Sequence, residues 1–169
     1  AMGAADQALA HANWAEPSDE QLERAATVIG SGVGGFGTIV DAVRTTDNKG
    51  PQRLSPFTVP AFLANLAAGQ VSIRHRLKGP LGAPVTACAA SIQALGDAAR
   101  LIRNDEADMA LCGGSEATID RVAIGSFGAA YMSVVLAEPL IDLAVLALAK
   151  TLRGLQGSAV VDRRLHQAA

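Results

Sequence analysis

The chain has 169 residues, of which 50% are hydrophobic and 18% charged, with a net charge of −2. That length suits one domain with a substantial core, and that balance excludes intrinsic disorder. The charge provides no whole-chain attraction for nucleic acid, and 17 glycines against four phenylalanines, one tyrosine and one tryptophan favour close-packed helices over an aromatic-rich sandwich.

Met2 to Trp14 reads as an alanine-rich helix, followed by the polar turn Glu16-Pro17-Ser18-Asp19. Ser18 or Asp19 then caps a short helix through Arg24. Ala26 to Gly30 is a short apolar strand running into the cluster Gly30, Gly32, Gly34 and Gly35. Gly37 to Thr45 predicts a helix, TDNKGPQ a loop with a Gly50-Pro51 turn, and Pro56 and Pro60 bracket an extended piece. Ala61 to Leu77 is largely helical. After Gly79-Pro80, Ala83 to Ala87 predicts a second buried strand.

Ala89 to Arg103 has helical spacing, with Ile92, Leu95, Ala99 and Ile102 on one face. Asn104 to Asp108 is a turn, and Met109 to Cys112 a third strand ending in Gly113-Gly114. Strands alternating with helices imply an α/β protein of packed layers. Beyond Ala130 the composition changes. Val134 to Ala149 is nearly all apolar but falls short of the roughly 20 residues of a spanning helix. It also holds Glu138, Pro139 and Asp142, so a buried helix and no membrane span is the expectation. The start AMGAADQALA lacks the pattern of a secretory signal, and the two cysteines are too few for a disulfide scaffold. A reduced, cytoplasmic setting is therefore expected.

Two segments carry candidate chemistry. Gly30-Ser31-Gly32-Val33-Gly34-Gly35 satisfies G-x-G-x-x-G after a strand and before a helix, as a dinucleotide loop does. The acidic residue such a loop requires about 20 residues on is not set at a strand end, because Asp47 lies in a proline-broken loop. A tight turn between close backbones is the plainer reading. In Pro84-Val85-Thr86-Ala87-Cys88-Ala89-Ala90-Ser91, Cys88 falls where a strand passes into a helix. Unpaired N–H groups and the helix dipole there favour a thiolate, and the small neighbours suit a sharp nucleophile-bearing elbow. A buried cysteine acting as a small hydrophobe fits the local pattern equally. Cys112, within a strand, reads as structural, and His11, His75 and His166 read as surface histidines.

VIGSGVGGFGTI, LSPFTVPAFLANLAAGQVSIRHRLKGP, VTACAASIQALGDAARLIRNDEADMALCGGSEATI and GSFGAA occur here in the order and spacing of one known family. Over residues 1–130 the chain resembles the β-ketoacyl-acyl-carrier-protein synthases, above all the KAS II type of fatty-acid synthesis. The resemblance implies a thiolase-like layered αβαβα fold, only part of it present, and a homodimer. It implies a Claisen condensation, in which an acyl chain moves to cysteine and malonyl carrier protein then decarboxylates and attacks the thioester. No cofactor or metal is implied, and the partners are acyl carrier protein and malonyl-acyl carrier protein.

On that resemblance Cys88 is the acyl-accepting nucleophile, its own N–H half of the oxyanion hole. Val33 lines or gates the acyl pocket, Phe127 forms its wall, and Pro84 to Ala87 pairs across the dimer. Arg53 either belongs to a carrier-protein surface or is a solvated charge.

The departures lie downstream. The family's two catalytic histidines, its lysine and its second oxyanion loop match nothing after Cys88, and His166 in RRLHQAA fits neither histidine motif. Residues 131–169 follow no family pattern and are expected to come from a shifted reading frame or a rearrangement, the chain being truncated at both ends. Acylation of Cys88 is expected to survive weakly, and condensation is not. Two alternatives stand beside this: a non-catalytic partial subunit pairing with an intact synthase, and, more remotely, a nucleotide-binding oxidoreductase using the GSGVGG loop.

Overall fold

The computed structural model describes residues 1–130 and the backbone of residues 145–149. The element order is α1 (Met2–His11), α2 (Asp19–Glu23), β1 (Ala25–Gly30), α3 (Phe36–Lys49), α4 (Thr58–Phe62), α5 (Leu66–His75), β2 (Leu81–Gly82), α6 (Ala90–Arg103), β3 (Met109–Gly114), α7 (Arg121–Ala129) and β4 (Val145–Ala149). The sheet runs β2-β1-β3-β4, with β1 parallel to β2 and β3, and β4 antiparallel to β3.

Every residue of β1 and β3 is buried, as parallel strands covered on both faces require. Their side chains alternate between two cores. Ala25, Ile29, Met109 and Leu111 pack with Ala5 and Leu9 of α1 and Ala68 and Val71 of α5. Ala26, Val28, Ala110 and Cys112 pack with Ala94 and Ala98 of α6. The result is helix, sheet and helix in three layers. At the strand entrances, Arg24 ties β1 to β3 within the sheet: its Nε donates to Asp108 Oδ2 at 2.7 Å and its Nη2 to Oδ1 at 3.0 Å.

Ser18, and not Asp19, caps α2. Its hydroxyl accepts from the Gln21 N–H at 3.2 Å, and the Gln21 side chain accepts from the Ser18 N–H at 2.8 Å. The helix expected over Gly37 to Thr45 extends to Lys49, and a 3₁₀ turn at Pro51–Arg53 replaces the rest of the loop. Gly50 ends the helix with a left-handed φ of 85°. The extended piece between Pro56 and Pro60 is instead the start of α4. Pro60 is accommodated in its first turn, where the missing N–H has no intrahelical partner to lose.

The buried face of α6 is Ala90, Ala94 and Ala98, four residues apart, whereas Ile92 is 69% exposed. A face of alanines allows the helix to descend onto β1 and β3, and a larger ridge would hold it away. The strand expected at Ala83 to Ala87 pairs earlier, at Leu81–Gly82. The carbonyls of Pro80 and Pro84 still accept from the Thr27 and Ser31 N–H groups at 2.9 and 3.1 Å. Proline donates nothing in return, and Ala87 at φ 49° turns the chain away from the sheet. In the segment read as a buried helix, Val145–Ala149 is a strand, and 134–144 lie outside the described residues. Its backbone pairs the outer edge of β3, satisfying donors and acceptors that an unpaired buried strand would leave open. Among the described residues no helix is long and apolar enough to cross a membrane.

Candidate active site

The carboxyl ends of β1 and β3 lie side by side, Gly30 opposite Gly114. Ligands of open parallel sheets bind outside such strand ends. Both positions favour glycine, because the head of α6 presses on them. A Cβ at Gly30 would stand 2.5 Å from the Ala90 carbonyl oxygen, and one at Gly114 would run into the Ser91 side chain. Close seating of α6 brings the segment before it over the strand ends.

That segment is an elbow. Thr86, at φ −122° and ψ 42°, has already left the extended conformation, Ala87 is left-handed at φ 49°, and Ala87–Ala89 form a 3₁₀ turn leading into α6. A left-handed non-glycine residue is a strained conformation that the surroundings must hold. Cys88 follows it directly and is exposed. Cys112, by contrast, is buried in β3, where removal from water pushes its thiol up to about 12. Of the two sulfurs, Cys88 has the accessible position, and the core-hydrophobe alternative falls to Cys112.

Beside the elbow opens a cleft of about 310 Å³ whose lining includes Gly32, Val33, Cys88, Ser91, Glu116 and Phe127. The three residues singled out from sequence, Val33, Cys88 and Phe127, therefore come together from three separate elements. Val33 and Phe127 are 45% and 42% exposed, so each offers an apolar side chain to whatever enters. Arg53 lies apart from the cleft lining, on the exposed surface. His11 is exposed, but His75 is not the surface residue expected. Its side chain is 18% exposed, with Nε2 3.1 Å from Asp6 Oδ1 between α1 and α5. His166 lies outside the described residues.

The residue that the motif reading missed is Glu116. Its Oε2 accepts from the N–H groups of Gly32 and Val33 at 2.7 and 2.9 Å. Its Oε1 accepts from the Gly34 N–H and from its neighbour Ala117 N–H, both at 3.1 Å, and from the Ser31 hydroxyl at 3.3 Å. Successive N–H groups turned to one side make an anion nest, the feature by which a G-x-G-x-x-G loop holds a pyrophosphate. Here an internal carboxylate fills it, which removes the physical basis for the nucleotide reading. The signal was present as Ser115-Glu116 after Gly113-Gly114, but its partners lie more than 80 residues away. Among the described residues no three His, Cys, Asp or Glu side chains gather in a metal-binding group.

Residues 1–135 match the family model of the β-ketoacyl synthase N-terminal domain. The chain is 52% identical over 129 residues to a 3-oxoacyl-[acyl-carrier-protein] synthase 2 of Rhizobium meliloti (strain 1021), covering 76% of this chain and 31% of that protein. A β-ketoacyl synthase from Burkholderia phymatum STM815 superposes with a TM-score of 0.68 at 27% identity, covering 77% of this chain and 32% of that one. A type II polyketide ketosynthase in complex with its acyl-carrier protein superposes at 0.66 over 73% of this chain and 35% of that one. Its 24% identity speaks for the fold alone. The chain spans about a third of the length of the curated relatives it matches. With a partial thiolase-like α/β fold and a match over most of its length, this chain belongs to the β-ketoacyl synthase family, in the region of the N-terminal domain.

Proposed function

We propose that the chain carries the acyl-accepting part of a β-ketoacyl-acyl-carrier-protein synthase of fatty-acid synthesis, with Cys88 as the nucleophile. The observation that carries this reading is an exposed thiol on the strained Ala87 elbow, sharing one cleft with Val33 and Phe127. The Rhizobium relative's name supplies the substrate class, an acyl group on a carrier protein.

In the transfer, the Cys88 thiolate attacks the carbonyl carbon of the carrier-bound thioester, and a new C–S bond forms. The negative charge passes to the carbonyl oxygen, where the Cys88 backbone N–H is one stabilising donor. Collapse of that intermediate breaks the bond to the carrier's sulfur. The departing thiolate takes up the proton that Cys88 gave away. Val33 and Phe127 hold the acyl chain by apolar contact, shielding it from water.

Condensation is assigned differently. It requires malonyl carrier protein to lose carbon dioxide, and the histidines that the resemblance implies for that step match no residue of this sequence. These residues by themselves are expected to accept an acyl group without elongating it. Acyl carrier protein and malonyl-acyl carrier protein are the proposed macromolecular substrates, with exposed Arg53 contributing to the docking surface. A second copy is the proposed partner, along the segment Pro84 to Ala87.

Incubation with octanoyl carrier protein followed by intact-mass measurement tests the reading. One acyl mass on the native chain, mapped to Cys88 and lost in Cys88→Ser, is expected. No adduct, or equal labelling of Cys88 and Cys112, overturns it, and steady β-ketoacyl product from the pure chain overturns the assignment of condensation.

A further inference from the structure

We infer that Glu116 is a positioning residue that fixes the backbone of Gly32–Gly34, and thereby sets where Val33 stands in the cleft and which chain lengths the cleft admits. The identity of the cargo as an acyl chain rests on the proposed function, whereas the positioning does not.

The far end of the loop is held by the Gly35 N–H donating to the Phe62 carbonyl at 3.1 Å, but residues 32–34 have little of their own to fix their shape. Residues 32–35 are Gly, Val, Gly and Gly, and glycine brings the greatest conformational freedom. Gly34 takes a left-handed φ of 85°, which helps turn the N–H groups of Gly32, Val33 and Gly34 toward one point. Without a counter-charge those donors would converge on nothing, an arrangement that partial positive charges disfavour. Val33 is 45% exposed, so packing of its side chain does not anchor the loop either. The carboxylate supplies the restraint through charge-assisted hydrogen bonds, stronger than neutral ones.

Two further details belong to the same device. Ser31, buried at the end of β1, donates to Glu116 Oε1 at 3.3 Å and accepts from the Gly34 N–H at 3.0 Å, bracing the nest from within. A Cβ at Gly32 would stand 2.5 Å from Glu116 Oε2, so any other residue there displaces the carboxylate. Glu116 itself follows β3, and its loop is anchored by the Ser115 N–H donating to the Gly30 carbonyl at 2.9 Å. The position of Val33 is thus referred through Glu116 to the rigid sheet, and Cys88 is referred to the same sheet through α6. One carboxylate sets the spacing between gate and nucleophile.

The test uses the full chain with Glu116→Gln, Glu116→Ala and Ser31→Ala, and Glu106→Gln as a control outside the cleft. Hydrogen exchange of the Gly32–Gly34 amides is read beside that of β1 and β3. Cys88 alkylation is measured with maleimides bearing a short or a long alkyl tail, a probe that needs no carrier protein. In Glu116→Ala the loop amides are expected to exchange about tenfold faster while the strand amides hold. The ratio of long-tail to short-tail reactivity is expected to shift by about tenfold, with Gln intermediate.

Unchanged loop exchange or an unchanged ratio in both Glu116 variants overturns the inference, as does faster exchange spread equally over β1 and β3. If Glu116→Ala does not fold, the same readouts on Glu116→Gln and Ser31→Ala decide it. A wild-type chain that reacts with maleimides but refuses octanoyl carrier protein sinks the proposed function alone.

Discussion

Adding a methyl group at Gly30 tests how tightly α6 is seated on the sheet. The new Cβ would stand 2.5 Å from the Ala90 carbonyl oxygen, 2.7 Å from its carbon and 3.0 Å from its Cβ. Favourable carbon contacts begin near ~3.5 Å, so the head of α6 must retreat by about 1 Å. The nearest atoms are backbone, and no rotamer change relieves them. Overpacking of this kind costs about 1–3 kcal/mol. Replacing glycine in extended backbone returns about 0.4–1 kcal/mol through the unfolded chain. The difference runs from about 0 to 2.6 kcal/mol with a centre of about 1.3 kcal/mol, so the clash wins on balance and a urea midpoint falls by roughly 0.6 M. Because Ala90 follows the turn bearing Cys88, the Cys88 alkylation rate changes as well. Gly96→Ala, on α6 with nothing within 4 Å of the added Cβ, is the matched control. It is expected to stabilise by about 1 kcal/mol from helix propensity. A midpoint for Gly30→Ala equal to or above wild type, beside a stabilised Gly96→Ala, refutes the close seating.

Two further outcomes are expected. Burial pushes the Cys112 thiol from an ordinary 9.0 up to about 12. Between those values the folded chain keeps a proton that the unfolded chain releases, so stability is full below pH 9.0 and falls as pH rises toward about 12. The fall amounts to about 4 kcal/mol at most, read as the difference in urea midpoint across that range between wild type and Cys112→Ala; identical pH profiles would show that Cys112 is not desolvated. Ser18→Ala removes the capping box of α2 and is expected to cost about 1 kcal/mol, measured by thermal or urea unfolding.

Strands β1 and β3 were legible in the sequence because burial on both faces leaves short continuous apolar runs closed by glycines. The elbow was legible only in part, since the small residues around Cys88 permit a sharp turn without demanding one. The buried face of α6 was legible only in part: Leu95 and Ile102 pack against the core as read, whereas Ile92 does not. Periodicity favours Ile92 over Ala94, but the depth at which a helix sits on a sheet depends on both surfaces. Here Gly30 receives Ala90, Gly114 receives Ser91, and Ala94 and Ala98 join the core beneath α6. Ala83 to Ala87 was misjudged because apolar character does not show which residues have an N–H to give beside β1.

The site divides along the same line. Cys88, Val33 and Phe127 were named from local motifs and from a resemblance, each within a few residues of sequence. That they face one cleft, and that Glu116 occupies the glycine nest, belongs to the sheet, which sets residues 30 and 114 side by side. Local patterns specify backbone conformation through sterics and burial acting over a few residues. A carboxylate finds three amides some 80 positions away only when parallel pairing of β1 and β3 has brought their ends together.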